Sequence, residues 1–193
     1  MRIARVVMAC MIAALSLSTL ADEKDMAKYQ ETIATFKQSD VAKKYFATAH
    51  GYAVFPTIGK GGLGIGGGGG KGGVFEGGKL IGESTTFQLS VGLQAGGQAY
   101  SQIIFLKDKR SFDEFTSGSF EFAADASAVA ITAGANASAG TTGTAASANT
   151  GSKDGSNATA QYNKGIAVLT LAKGGLMYQA AIAGQKYNFE KAK

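Results

Sequence analysis

The chain has no tryptophan, one proline, one histidine and one cysteine in 193 residues. Each scarcity closes off a chemistry. Cys10 lies inside an N-terminal apolar run, so once that run is removed neither a disulfide framework nor a thiolate metal site can form. His50 alone cannot build a histidine metal cluster, and a hydrolase triad would depend on that one residue. Charge is also sparse, at 17% of residues with a net +5 at pH 7. Removing Arg2 and Arg5 with the leader leaves +3, which is no phosphate-tracking surface, so no nucleic-acid partner is expected.

Arg2 and Arg5 precede an uncharged run from Val6 to Ala21, which ends Thr19-Leu20-Ala21 before Asp22 and Glu23. That is the pattern of a secretory signal peptide over residues 1–21. At sixteen residues the run falls short of the roughly 18 needed for a membrane span. Cys10 sits within the apolar run rather than after it, which disfavours a lipoprotein anchor. Residues 22–193 remain, 172 in number and enough for one domain with a single core. The expected location is periplasmic or secreted, with a membrane-peripheral position as the further expectation.

Glycine is what the chain has in quantity. Of the fifteen residues from Gly59 to Gly73, GKGGLGIGGGGGKGG, eleven are glycine. Gly64, Gly66 and Gly69 satisfy the spacing of a dinucleotide-binding loop, but that loop needs a helix directly after it. Gly70, Gly72, Gly73, Gly77 and Gly78 follow instead, and each costs about 1 kcal/mol in a helix relative to alanine. Gly73 to Lys79 approaches a P-loop, yet Leu80 stands where Ser or Thr must hold magnesium. No cofactor is therefore expected. A linker is disfavoured too, because the strand pattern before the run is too short to stand as a domain. Glycine within strands instead points to close backbone approach and strong curvature.

From Asp22 to Ala49 the pattern is helical, with Met26, Tyr29, Ile33 and Phe36 at helical spacing, then a second segment capped by Ser39 that carries Val41, Tyr45, Phe46 and Ala49. After Gly51 the period becomes two. Tyr52 to Phe55 reads as a strand edged or ended by Pro56, and Phe87, Leu89, Val91 and Leu93 alternate with Gln88, Ser90, Gly92 and Gln94 as a half-buried strand with one polar face. Gln98 to Leu106, Gly165 to Lys173, Leu176 to Ile182 and Gln185 to Phe189 complete the strands, the last three forming an antiparallel meander with glycine at its joints. Ser111 to Glu114 reads as a capping box opening a short helix. From Thr132 to Ala160, all but Lys153 and Asp154 are Ala, Ser, Thr, Gly or Asn, a low-complexity loop with little apolar area to order it.

The stretches HGYAVFP from His50 to Pro56, GGKLIG from Gly77 to Gly82, QAGGQAYS from Gln94 to Ser101, Phe120 to Val129, KGGLMY from Lys173 to Tyr178 and GQKY from Gly184 to Tyr187 together resemble the bacterial branch of the SYLF lipid-binding domain. Eukaryotic members bind phosphoinositides, some with an actin-binding role, and bacterial members are exported proteins, some of them lipoproteins. The resemblance implies a compact α+β domain, residues 22–193, with a curved, largely antiparallel sheet. It brings no catalytic residue, and the cytoskeletal role does not transfer to an exported bacterial chain. The segment between Val129 and Gly165 is longer than the family's usual connection.

The expected architecture is α+β: a curved, largely antiparallel Gly-rich sheet or partial barrel, an N-terminal helical segment and one short internal helix. The expected function is non-catalytic binding of anionic phospholipid at an envelope membrane surface. Lys37, Lys43 and Lys44 on the helix, and Lys60, Lys71 and Lys79 around the glycine run, are the candidate phosphate contacts, with glycine amides as an added anion nest. The alternative is a structural or interaction protein of the periplasm that meets an envelope protein or a second copy.

Overall fold

The computed structural model describes residues 23–122, 128–131, 162–175 and 184–192. The expected signal peptide, the loop over residues 132–160 and the expected strand over residues 176–182 lie outside them. Residues 23–36 form a helix (α1), and Asp40–Thr48 form a second (α2). Ser39 takes extended backbone at the start of α2, which breaks the two helices apart where the sequence pattern restarts. On α1 the stripe of Tyr29, Ile33 and Phe36 is buried. On α2 the buried residues are Ala42 and Tyr45, while Val41 is exposed.

Two long strands follow, Gly51–Glu76 (β1) and Lys79–Leu106 (β2). They join through Gly77 and Gly78 at φ +55° and +82°, the two-residue turn whose left-handed backbone suits a twisted hairpin. Pairing runs antiparallel from Glu76↔Lys79 back to Gly51↔Leu106. Pro56 neither ends the strand nor breaks it. Register slips between Phe55 and Ile58, and β1 has β2 as its sole strand partner among the described residues, so the missing proline N–H disturbs no second ladder.

Lys109–Phe115 form α3, Ser119–Glu121 β3, Val129–Ile131 β4, Ile166–Gly175 β5 and Lys186–Lys191 β6. The capping box of α3 lies one turn earlier than the sequence pattern placed it: Asp108 is the cap, accepting from Ser111 N at 2.9 Å, and Ser111 is its N3 partner. The sheet order is β3-β6-β2-β5-β4, with β1 on the other edge of β2. All pairings are antiparallel except the parallel pair of β4 with β5. Among the described residues the path ends at β3 and β4, so their sheet does not close into a barrel. The protein is α+β with a curved, largely antiparallel sheet, as the sequence led us to expect. β5 and β6 are not neighbours; they follow one another along one edge of β2, at residues 98–106 and 82–87.

The glycine run makes the β1–β2 ribbon double back. A Cβ on Gly72 would lie 2.5 Å from Val54 O, one on Gly70 2.5 Å from Thr57 O, and one on Gly68 2.7 Å from Gly59 O. These partners step in opposite senses along the same strand, so the far half of β1 lies across its near half. Side chains would hold the halves farther apart, since packed sheets normally sit about 10 Å from each other. Glycine at every second position removes that spacer.

Around residues 53–55 and 103–106 both faces of the sheet are covered. Ala53, Phe55, Ile104, Leu106 and Val168 pack inward with Phe112 and Phe115 of α3 and with Tyr187 of β6. On the opposite face Ile103, Phe105 and Leu169 meet Phe36 and Tyr45, and Val54 and Phe75 meet Tyr29 and Ile33. The helices are thus fastened to the sheet by their apolar stripes.

Candidate functional site

The six candidate lysines fall into separate groups. Lys37 lies over the Phe46 ring, 5.1 Å from its centroid. Lys43 pairs with Asp40 at 2.7 Å, a hydrogen bond that holds the Asp40 carboxyl below its usual range. Lys44 is exposed beside it. On the ribbon, Lys71 bonds Glu83 at 2.9 Å and reaches Asp25 of α1 at 3.4 Å, and the Glu83 bond raises its ammonium above the ordinary value. Much of its charge is therefore answered within the protein. Lys60 is half-buried, has no carboxylate partner among the described residues, and is lowered by that burial. Lys79 is exposed at the hairpin turn, opposite Glu76.

The fold-over changes the spacing of these charges. Lys60 is eleven residues from Lys71, yet its Cα lies 3.2 Å from where a Cβ of Gly68 would be, only about three strand residues or 10 Å from Lys71. Lys79 lies at the other end of this half of the ribbon. The glycine amides do not form the expected anion nest. Residues 59–73 are extended and pair with β2, so successive N–H groups point to opposite edges instead of converging.

The alternation in β2 is inverted relative to a core strand. Gln88 is 6% exposed, and Ser84 and Thr86 are also buried, whereas Phe87 is 54% and Leu89 68% exposed. The polar residues look inward onto a hydrogen-bonded cluster. Gln185 Nε2 donates to Tyr100 Oη at 2.6 Å and Gln88 Oε1 at 3.2 Å, and Gln102 Nε2 donates to Gln185 Oε1 at 3.2 Å. Tyr187 Oη donates to Gln185 Oε1 at 2.5 Å and lies 3.2 Å from Gln102 Oε1. Burial pushes the Tyr100 phenol up to about 12 and raises Tyr187 further. The hydroxyls of Ser84 and Thr86 are buried there without a well-formed hydrogen bond among the described residues. Periodicity revealed two unlike faces in this strand and could not say which faces in.

Other features offer less chemistry. His50 Nε2 lies 2.8 Å from Glu76 Oε1 and the ring meets Phe112 edge-on, which ties the start of β1 to its end. Among the described residues no three of His, Cys, Asp and Glu gather to hold a metal. A recess of about 170 Å³ opens between α1 and the sheet, lined in part by Lys28, Thr32, Thr35, Thr57 and Lys173. Its hydroxyls are engaged: Thr32 and Thr35 donate to their own helix carbonyls and Thr57 accepts from Lys173. No helix of the described residues is long and apolar enough to cross a membrane.

Comparison with known proteins supplies the context for this surface. The family model described as Ysc84, Las17-binding protein actin regulator, matches residues 87–190, a stretch that runs from the exposed part of β2 almost to the end of β6. A curated relative, the beta cell expansion factor A of Aeromonas veronii, is 29% identical over 182 residues, covering 93% of this chain. The chain spans 58% of that relative's length.

Proposed function

The chain belongs to the Las17-binding protein actin regulator family, the SYLF domain, and on that premise we propose that it is a non-catalytic lipid-binding module of the bacterial envelope, working periplasmic or secreted after loss of its leader. Anionic phospholipid headgroups are its ligands, met by lysine side chains. The observation that carries this reading is the match of the family to residues 87–190, a stretch that begins with the solvent-exposed Phe87 and Leu89 of β2. Lys60, Lys44 and Lys79 are the strongest contacts of the six, because they lack the close carboxylate that occupies Lys43 and Lys71. The Gly-rich backbone contributes by letting the ribbon fold tightly, which brings Lys60 toward Lys71.

Cosedimentation of the processed chain with phosphatidylcholine vesicles carrying increasing phosphatidylglycerol tests the reading. Bound fraction is expected to rise with anionic lipid and to fall as salt screens surface charge, each basic residue near such a surface contributing about 1 kcal/mol. Lys60→Glu with Lys79→Glu is expected to lower affinity more than Lys43→Glu with Lys44→Glu, by roughly tenfold on the same per-residue figure. Absence of binding at every composition would overturn lipid binding and favour the interaction-protein alternative.

A further inference from the structure

We propose that the outward face of β2 around Phe87 and Leu89 enters the boundary between headgroups and acyl chains, with Lys60 and Lys71 at its rim. This rests on the lipid-binding reading and specifies its site. On β1 Phe87 and Leu89 pair with Gly69 and Gly67, which offer no side chain to cover them, while on the β6 edge Phe87 pairs with Lys186, whose ammonium reaches Glu121 at 3.4 Å. Neither residues 61–70 nor residues 86–97 contain an ionisable side chain. In register this charge-free stretch is bounded by the pair Lys71↔Thr85 on one side and Lys60↔Gln98 on the other. An apolar surface with lysine ammonium groups at its rim, Lys186 beside Phe87 among them, matches hydrocarbon bordered by phosphate, with lysine stems lying along the apolar part and their heads in the headgroups.

The inverted alternation favours lipid over a protein partner. Ser84, Thr86 and Gln88 point inward and Phe87 and Leu89 outward, the arrangement that strands take when hydrocarbon is the outer solvent. Depth follows from the backbone. The outer edge of β1 has no strand partner among the described residues, and unpaired peptide groups are not tolerated in the hydrocarbon core. Insertion therefore stops at the interface and does not span the bilayer.

The absence of native tryptophan makes the test direct. Leu89→Trp and, on α2, Val41→Trp are each prepared in the protein and mixed with phosphatidylcholine–phosphatidylglycerol vesicles whose acyl chains are brominated near the headgroup end or near the methyl end. The Leu89→Trp emission is expected to shift to the blue and to be quenched most by bromine near the headgroup end, while Val41→Trp changes little. Phe87→Ser with Leu89→Ser, at exposed positions that leave folding intact by circular dichroism, is expected to reduce vesicle binding at least about tenfold, given the transfer energy of two large apolar side chains. Three results overturn the inference. Cosedimentation with no change in Leu89→Trp emission retains lipid binding but rejects this surface. Failure of the native protein to bind any vesicle rejects both. A blue shift that grows with protein concentration in the absence of lipid shows that a second copy covers the face.

Discussion

Gly72→Ala is expected to destabilise the protein by about 3 kcal/mol, while Gly59→Ala, in the same glycine run, is expected to leave stability unchanged or to raise it by about 0.5 kcal/mol. Composition gives no reason for that contrast. A Cβ on Gly72 meets Val54 O at 2.5 Å and Phe55 Cδ1 at 2.6 Å, while nothing lies within 4 Å of one on Gly59. Val54 belongs to a paired strand whose both faces are packed, so its carbonyl cannot give way without disturbing the ladder. Gly70→Ala meets Thr57 O at 2.5 Å and is expected to behave like Gly72→Ala, whereas Gly67→Ala, with its nearest atom at 3.9 Å, is expected to behave like Gly59→Ala. The two costly changes together approach the whole stability of an ordinary domain, about 5–15 kcal/mol. Urea midpoints of the four single variants decide the matter. Equal midpoints would mean that the ribbon does not fold onto itself, and the proximity of Lys60 to Lys71 would be lost with it.

The second large effect concerns the polar cluster under β2. Tyr187 is 1% exposed and packs against Phe55, Phe115 and Phe122, so Tyr187→Ala is expected to cost about 3–5 kcal/mol. Tyr187→Phe keeps the ring and leaves a carbonyl oxygen of Gln185 or Gln102 short of a donor, for about 1–3 kcal/mol. The pH dependence separates packing from hydrogen bonding. Burial raises the phenols of Tyr100, to about 12, and of Tyr187 above the roughly 10 of an unfolded tyrosine. The folded protein holds the neutral forms, so their contribution is complete below pH 10 and is lost as pH rises from 10 toward 12. Each phenol then adds a downward slope of about 1.4 kcal/mol per pH unit. Urea titrations at pH 8, 10 and 11 are expected to show that loss in the native protein and a shallower one in Tyr187→Phe. Identical slopes would place Tyr187 outside the cluster.

Much of the candidate surface is legible in the sequence, though not its orientation. The lysines at 37, 43, 44, 60, 71 and 79 are plain in the sequence, but their availability is not. Lys71 differs from Lys60 because Glu83 and Asp25 reach it from β2 and α1, partners twelve and forty-six residues away. The buried cluster had a faint trace in Gln88, Gln102 and Gln185. A glutamine at an alternating position resembles any solvent-facing residue until its partners are known.

By itself the sequence determined the local elements. Helical spacing in Tyr29, Ile33 and Phe36 buries one stripe of α1, paired glycines at 77 and 78 permit the tight turn, and many glycines forbid a helix from 59 to 73. These follow from short-range sterics and periodicity, which a chain carries at every position. Only the tertiary structure decided that β1 folds across itself, that β5 and β6 share one edge of β2, and that Phe87 and Leu89 face out while Gln88 faces in. A strand with two unlike faces has period two whichever way it is turned. The choice of side comes from what the other face must contact, and here Gln185, Gln102, Tyr100 and Tyr187 converge from distant residues to bond with one another and with Gln88.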